Sequence, residues 1–159
     1  MKKLFLVFLL FGAASLLPAQ NHFAIGTNLG AVLLGGFEVH GEYLFNSWGI
    51  GAGLGATSLT VLGTTLKMTV TSFTGHYYFD EIKGFYVGLS LGSASVSSGA
   101  ISVSLGANSV LAGYRFLLSQ DSISKNGFVL DLGGGLVFLN YFGSSISQPS
   151  LGLALGWLF

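Results

Sequence analysis

The residues with which this chain could do chemistry are few, because only 8% of its 159 residues are Asp, Glu, Lys or Arg. Most of the remaining sequence is apolar or small, with 51% hydrophobic residues and 25 glycines. Against this background, ionisable side chains inside apolar segments are conspicuous. Apart from Lys67, whose face the alternation leaves open, there are six of them: Glu38, His40, Glu42, His76, Arg115 and Asp131.

Carboxylate, imidazole and guanidinium groups suit metal binding, acid–base catalysis or ion pairing. Glu38, His40 and Glu42 alternate, but each two-residue step along a strand covers about 7 Å. That spacing is too wide for all three to bind one metal ion at metal–ligand distances of about 2 Å. A hydrolytic Ser–His–carboxylate site needs a serine beside a base, and no serine has an evident one. We therefore expect no metal, no cofactor and no catalytic residue, and we expect ion pairing.

The elements that must position these six side chains are short segments with period-two alternation, which is typical of β-strands. In "SLGLALGWLF", large apolar residues fall on one face and mostly small residues fall on the other. Turn signals divide the chain into eight such segments. We predict strands at 22–33, 36–45, 48–59, 64–79, 85–95, 102–117, 127–140 and 150–159.

A strand with one bulky apolar face and one glycine-rich face does not suit a soluble sandwich, whose outer face is polar. It suits a barrel whose large side chains meet lipid and whose small ones fill a narrow lumen. Open strand edges in hydrocarbon would leave backbone N–H and C=O groups unpaired, so the sheet must close. The predicted fold is all-β: a closed antiparallel eight-stranded transmembrane β-barrel with up-and-down meander connectivity.

The first residues, "MKKLFLVFLLFGAASLLPAQ", have the basic start, apolar stretch and small residues of a secretory signal peptide. We predict a signal peptide at 1–19 and the barrel domain at 20–159; a membrane anchor is the alternative. Removal of 1–19 leaves four basic and six acidic residues and a net charge of −2. That charge excludes the basic footprint of a nucleic-acid-binding protein. The chain has no cysteine, so neither a disulfide framework nor a thiolate metal site is available.

Aromatic residues recur on the bulky face near one end of the segments, as in the interfacial belt of a membrane barrel. Phe37 and Phe138 would form a sparser belt at the other end. With an even number of strands both termini share one side, which the signal peptide assigns to the periplasm. The main girdle comprises Phe23, Phe45, Trp48, Tyr77, Phe79, Phe85, Tyr114, Phe116, Phe128, Trp157 and Phe159.

These segments, the strand ends "GEYLF", "GHYYF" and "GYRF", and the terminal "GWLF" resemble small Gram-negative outer-membrane β-barrels. The chain is similar to the membrane domain of outer-membrane protein A and to the W and X proteins. The resemblance implies secretion across the inner membrane and integral insertion into the outer membrane. It implies outer-membrane lipids as partners, and the barrel-assembly machinery and periplasmic chaperones during biogenesis. Trp157 and Phe159 resemble the assembly signal.

Asp131 marks a departure from an internal pattern. "FVLDLGGG" carries an aspartate where "FAIGTNLG", "WGIGAGLG" and "FYVGLSLG" carry glycine. Counting from the girdle, all six ionisable residues point inward, and Glu42, His76 and Asp131 share a layer. We expect a polar plug in which Arg115 bridges Asp131 and Glu42, His76 hydrogen-bonds to the carboxylates, and nearby glycines provide space.

The predicted role is that of a structural or minor, porin-like permeability protein, not an enzyme. The plug is either purely structural or a gate whose ion pairs exchange. The alternatives are a surface adhesion or interaction protein and a lipid-modifying outer-membrane enzyme. Two local features stay open: around 65–79 the alternation predicts either a β-bulge near 71–74 or a strand that rises above the bilayer, and 94–104 is predicted to be a hairpin tip.

Overall fold

The computed structural model describes residues 21–33, 35–61, 64–80, 82–118 and 126–159. The predicted signal peptide lies outside these residues. Within them, no helix is both long and apolar enough to cross a membrane. The elements are β1 (Asn21–Asn28), α1 (Leu29–Leu33), β2 (Phe37–Phe45), β3 (Trp48–Val61), β4 (Thr64–Asp80), β5 (Lys83–Ser98), β6 (Ile101–Leu117), β7 (Gly127–Tyr141) and β8 (Ser144–Leu158).

The strands form one closed barrel in which each pairs antiparallel with the next in sequence. The barrel closes between β1 and β8, where Ala24 pairs with Leu158. This confirms the predicted eight-stranded antiparallel meander. Asn21 and Phe159 lie at the same end, here called the terminal end of the barrel.

Side chains alternate between the interior and the exterior, as the period-two pattern predicts. On β5, Leu89 and Leu91 are more than half exposed on the outer face, whereas Gly88 is buried on the inner face. Leu151 on β8 is 94% exposed. A water-soluble chain rarely presents a continuous surface of this kind, so the outer wall requires an apolar environment.

The prediction of a strand over 22–33 is wrong in its second half. β1 ends at Asn28, and its side-chain Oδ1 accepts hydrogen bonds from the backbone N–H of Gly30 and Ala31 at 2.9 and 3.4 Å. Asn28 thereby caps the helix α1. At the other end of α1, Gly35 has a φ of 74° and donates to Val32 O, while Gly36 donates to Ala31 O. This pair of bonds is the Schellman pattern, with glycine in its left-handed position. Apolar alternation alone did not reveal that a helix begins after Asn28 and ends before Gly35.

The β-bulge predicted near 71–74 is also wrong. Pairing between β3 and β4 runs without a shift from Trp48–Tyr77 to Val61–Thr64, and the register irregularity on β4 lies between Tyr78 and Asp80. The alternation therefore continues, and Lys67 shares the outer face with Phe73. Along β4 the outward residues change from aromatic near the girdle to polar farther from it, and no bulge is needed to explain that change.

At the end opposite the termini, one hairpin agrees with its prediction and another does not. The 94–104 tip is confirmed, because β5 and β6 turn at Gly99, which has a φ of 58°. The region 143–149, predicted to be a loop, is strand. β7 and β8 are joined by a tight turn at Phe142 and Gly143, both with positive φ, so β8 begins at Ser144 rather than near residue 150.

Candidate functional site: the closed lumen

Arg115 and Asp131 form the first half of the interior ion cluster. They lie opposite each other on β6 and β7, with both side chains directed into the barrel. Arg115 donates from Nε to Asp131 Oδ1 and from Nη2 to Asp131 Oδ2, both at 2.7 Å. Two parallel bonds of this kind fix the planar guanidinium in position. The carboxylate that interrupts the glycine pattern is therefore the direct cross-strand partner of the only arginine.

Glu42 joins the pair from across the lumen. Arg115 Nη2 also donates to Glu42 Oε2 at 2.8 Å. His76 Nδ1 lies 2.6 Å from Glu42 Oε1, and the Tyr78 hydroxyl donates to both Glu42 oxygens at 2.9 and 3.0 Å. Strands β2, β4, β6 and β7 are thus connected through one cluster. We define the lumen ion cluster as Glu42, His76, Arg115 and Asp131.

Two members of the lumen ion cluster, Glu42 and Arg115, are almost fully withdrawn from water, and His76 and Asp131 are partly buried. Glu42 is 3% exposed and Arg115 is 2% exposed. The guanidinium carbon also lies 4.8 Å from the centre of the Tyr78 ring, within the range of a cation–π contact. Buried charges are tolerated when they are paired and hydrogen-bonded, and removal of one partner leaves a costly isolated charge. The members of the cluster therefore depend on one another.

Glycines on neighbouring strands provide the space that this cluster needs. A Cβ atom at Gly49 would meet the Glu42 carboxylate, and one at Gly88 would meet the His76 ring. A Cβ at Gly113 would lie 2.5 Å from the Tyr86 hydroxyl. Such distances are too short for side chains in a packed interior. The inward glycines of these strands thus leave room for a few large polar side chains from neighbouring strands.

A second layer closes the lumen at the terminal end, and sequence reasoning missed it. Leu44, Tyr78 and Leu158 are completely buried, and Val129 is 3% exposed. We call these four residues the apolar layer. A signal was available, because Leu44, Tyr78 and Leu158 each stand between two aromatic residues in "YLF", "YYF" and "WLF". The aromatics face outward, so the residue between them must face inward.

Glu38 and His40 are not part of the lumen ion cluster. They line a cavity of about 360 Å³ on the other side of the cluster from the apolar layer, beside the hydroxyls of Ser72, Ser90 and Ser109. The His40 ring lies against Gly26, where a Cβ would approach it to 2.6 Å. Within the described residues, no group of three or more His, Asp or Glu is placed to hold a metal ion. The structure therefore brings together four of the six ionisable residues and leaves two in the cavity wall.

The aromatic girdle residues occupy outward positions around the terminal end. Ring pairs on adjacent strands are in contact: Trp48 with Tyr77 at 5.0 Å, Phe85 with Tyr114 at 4.8 Å, and Phe128 with Trp157 at 4.6 Å. Tyr43 extends the set, because its ring stacks with Phe45 at 5.8 Å. Aromatic pairs at these separations stabilise a sheet surface beyond their buried area.

Comparison with known proteins identifies the fold. Among solved structures, the chain is similar to the outer-membrane protein Ail of Yersinia pestis, determined in a phospholipid bilayer nanodisc. The sequences are 17% identical, the TM-score is 0.54, and the match covers 87% of this chain and 98% of that one. No protein-family model matches the chain, and no curated protein does either. The fold is thus that of an eight-stranded outer-membrane β-barrel.

Proposed function

We propose that this protein is an integral outer-membrane β-barrel with a structural role and a lumen that does not conduct. The observation that carries the proposal is the double closure of the interior. The lumen ion cluster spans the lumen between β2, β4, β6 and β7, and the apolar layer lies beneath it at the terminal end. An open pore needs a continuous aqueous path, and both layers interrupt it.

Membrane insertion is supported by the outer wall. Large aliphatic side chains such as Leu54, Leu89 and Leu151 are exposed on it between the girdle and the opposite end, and the girdle rings are suited to the boundary between acyl chains and water. The fold similarity to an outer-membrane protein supports that particular membrane. In this proposal the termini face the periplasm, lipids and the assembly machinery are the partners, and the protein carries out no catalysis.

A gating role is the second candidate, and the ion pairs favour it because Arg115 already contacts two carboxylates. Exchange of those pairs would, however, open only the upper layer. Leu44 and Leu158 would still fill the lumen below, and burial of apolar side chains opposes the entry of water. A gate would need to move both layers together.

Planar-bilayer recording tests the proposal. Insertion is first verified by heat-modifiable migration in gels. We expect no steady conductance from the wild type or from Arg115→Ala, and we expect current only when Arg115→Ala is combined with Leu44→Ala and Leu158→Ala. Steady conductance by the inserted wild type, or by Arg115→Ala alone, would contradict the closed-lumen proposal and support a permeability role.

A further inference from the structure

The wall of the barrel inverts its polarity toward the end opposite the termini. Along β4 the outward side chain changes from the exposed Phe73 to Thr71, while the inward side chain changes from Ser72 to Val70. The Thr71 hydroxyl lies 2.9 Å from that of Ser93 on β5, so both are on the outer face. Two more cross-strand hydroxyl pairs continue this outer surface: Thr60 with Thr65 at 3.2 Å and Ser95 with Ser102 at 3.3 Å. Beyond this level the outer face suits water, and the apolar side chains face inward.

The inward apolar residues form rows across neighbouring strands. Met68 pairs with Val96 and Val96 with Val103, and Leu139 of β7 pairs with Ile146 of β8. Directly opposite residues of antiparallel strands lie on the same face of the sheet, so each row lines the lumen. We define the mouth cup as the inward apolar residues beyond the level of inversion: Leu66, Met68, Val70, Ala94, Val96, Ile101, Val103, Leu105, Val137, Leu139 and Ile146.

The mouth cup is not a closed core. Ile101 and Ile146 are 71% and 68% exposed, and Leu66 and Met68 are also exposed, whereas the apolar layer at the terminal end is buried. Inward side chains that packed against one another across the lumen would be withdrawn from water. Exposed apolar surface of this kind marks grooves for a ligand or partner.

The dimensions of the lumen limit what can occupy the mouth cup. The interior of an eight-stranded barrel has room for side chains or for one small ligand. Val70 and Val137 of the cup also line the interior cavity of about 360 Å³, so the cup and the cavity are continuous. That volume lies within the range of about 300–1,000 Å³ that is typical of small-molecule sites. The occupant is therefore a small molecule or a single alkyl chain.

The cavity beneath the cup determines the chemistry of the other end of the ligand. Its serine hydroxyls can both donate and accept hydrogen bonds. The carboxylates of the lumen ion cluster are already paired with Arg115 and His76, so they offer little to a cationic head group. Glu38 in the cavity wall would repel an anionic one. An uncharged head group with a hydroxyl suits this wall.

We propose that the mouth cup and the cavity beneath it bind one small uncharged amphiphile, which enters from water at the end opposite the termini. Its alkyl chain lies against the cup, and its hydroxyl group lies among the serines. The proposal rests on the membrane location argued above, which puts this end of the barrel in water. It is compatible with a non-conducting lumen, because the lumen ion cluster and the apolar layer lie beneath the cavity.

Photolabelling tests this site. The full barrel is inserted into phosphatidylcholine vesicles, insertion is checked by heat-modifiable migration, and 1-decanol with a diazirine in its chain is added. Labelled residues are identified by mass spectrometry of peptides. We expect labelling of the outer residues Leu89 and Leu91 that rises in proportion to probe concentration, because the probe dissolves in the bilayer. Labelling of Val103 and Leu105 should saturate, and excess 1-decanol should abolish it.

Two glutamine variants at adjacent positions on β4 provide a matched comparison. Met68→Gln puts an amide in the cup, whereas Lys67→Gln changes the outer face at nearly the same height. We expect Met68→Gln to lower the saturable labelling of Leu105 by about fivefold, because apolar contact with the chain is lost. Lys67→Gln should leave it unchanged. Equal effects of the two variants would overturn the role given to the cup.

The outcomes separate this proposal from the proposed function. Absence of labelling at Leu89 and Leu91 would contradict the membrane location. Labelled outer residues with no saturable labelling at Val103 or Leu105 would overturn the binding site alone. Loss of that labelling when the protein density in the vesicles is raised would show that a second copy covers the cup, and would also overturn it.

The preference for an uncharged head group has its own test in the wild type. Below their micellar concentrations, 1-decanol should reduce the saturable labelling more strongly than decanoate or decyltrimethylammonium does. Equal or stronger competition by either charged amphiphile would overturn the preference.

Discussion

Arg115 and Asp131 are cross-strand neighbours on β6 and β7, and they share two hydrogen bonds of 2.7 Å inside the barrel. The same Arg115 Nη2 reaches Glu42 on the far side of the lumen. One guanidinium therefore holds two carboxylates on separate strands, and the stability of the barrel interior depends on it.

Replacement of Arg115 should be strongly destabilising. Arg115→Ala removes the cation from the buried Glu42 and the partly buried Asp131, and breaking a buried ion pair typically costs about 3–5 kcal/mol. The free energy of unfolding of Arg115→Lys should lie between those of the wild type and Arg115→Ala, because a single ammonium keeps the charge but cannot form the two parallel bonds. The free energy of unfolding is measured by urea titration in lipid vesicles. Lys67→Ala, an exposed lysine on β4, is the control and should change stability by no more than about 0.5 kcal/mol. A similar small effect for Arg115→Ala would refute the dependence.

The Tyr78 hydroxyl should contribute separately from its ring. Tyr78→Phe keeps the ring in the apolar layer but removes both hydrogen bonds to Glu42. Bonds to a charged group are worth about 1.5–3 kcal/mol, so we expect a loss of that size in the same titration. Tyr86→Phe is the matched control, since Tyr86 is a second buried tyrosine, and among the described residues the bonds to Glu42 come from His76, Tyr78 and Arg115. Equal losses in the two variants would show that the Glu42 bonds are not responsible.

Glycine positions should divide according to what lies beside them. Gly49→Ala places a methyl group against the Glu42 carboxylate, whereas Gly75→Ala places one in open space on the outer wall. Overpacking of an interior site costs about 1–3 kcal/mol, so Gly49→Ala should destabilise the barrel by that amount. Gly75→Ala should be neutral or slightly stabilising, because alanine has less backbone entropy to lose. Similar unfolding energies for the two variants would contradict the role given to the glycine face.

The sequence predicted the barrel and the arrangement around Arg115 correctly where the alternation of residues and the sizes of their side chains could be used together. A glycine-rich face implies large residues from other strands in the same space, and Asp131 among glycines led to the arrangement around Arg115. Alternation could not show that Asn28 caps a helix, because a short apolar segment fits either element. Nor could alternation decide whether β4 contains a bulge near 71–74 or continues without one. The evidence against a bulge is the register of β4 with its two neighbouring strands.

The interior cavity shows a different limit. Glu38, His40 and Glu42 have the same orientation on β2, and depth alone separates them. Depth depends on how each strand is staggered against its neighbours, which is a property of the whole sheet. The sequence also did not predict that Ser144–Leu153 of β8 lacks a partner among the described residues on the β1 side. That gap results from the early end of β1 and not from any property of β8.

The most direct test of the central claim is the environment of the two faces of the wall. Spin labels are attached to single cysteines at Val87, Leu89 and Leu91 on the outer face of β5, and at Ser90 and Ser109 in the lumen cavity. Collision rates with oxygen and with a water-soluble nickel complex are then measured in lipid vesicles. The account predicts that the three outer labels collide mainly with oxygen and the two cavity labels mainly with nickel. Outer labels that collide mainly with nickel, or no difference between the faces, would contradict a barrel that presents its apolar residues to lipid.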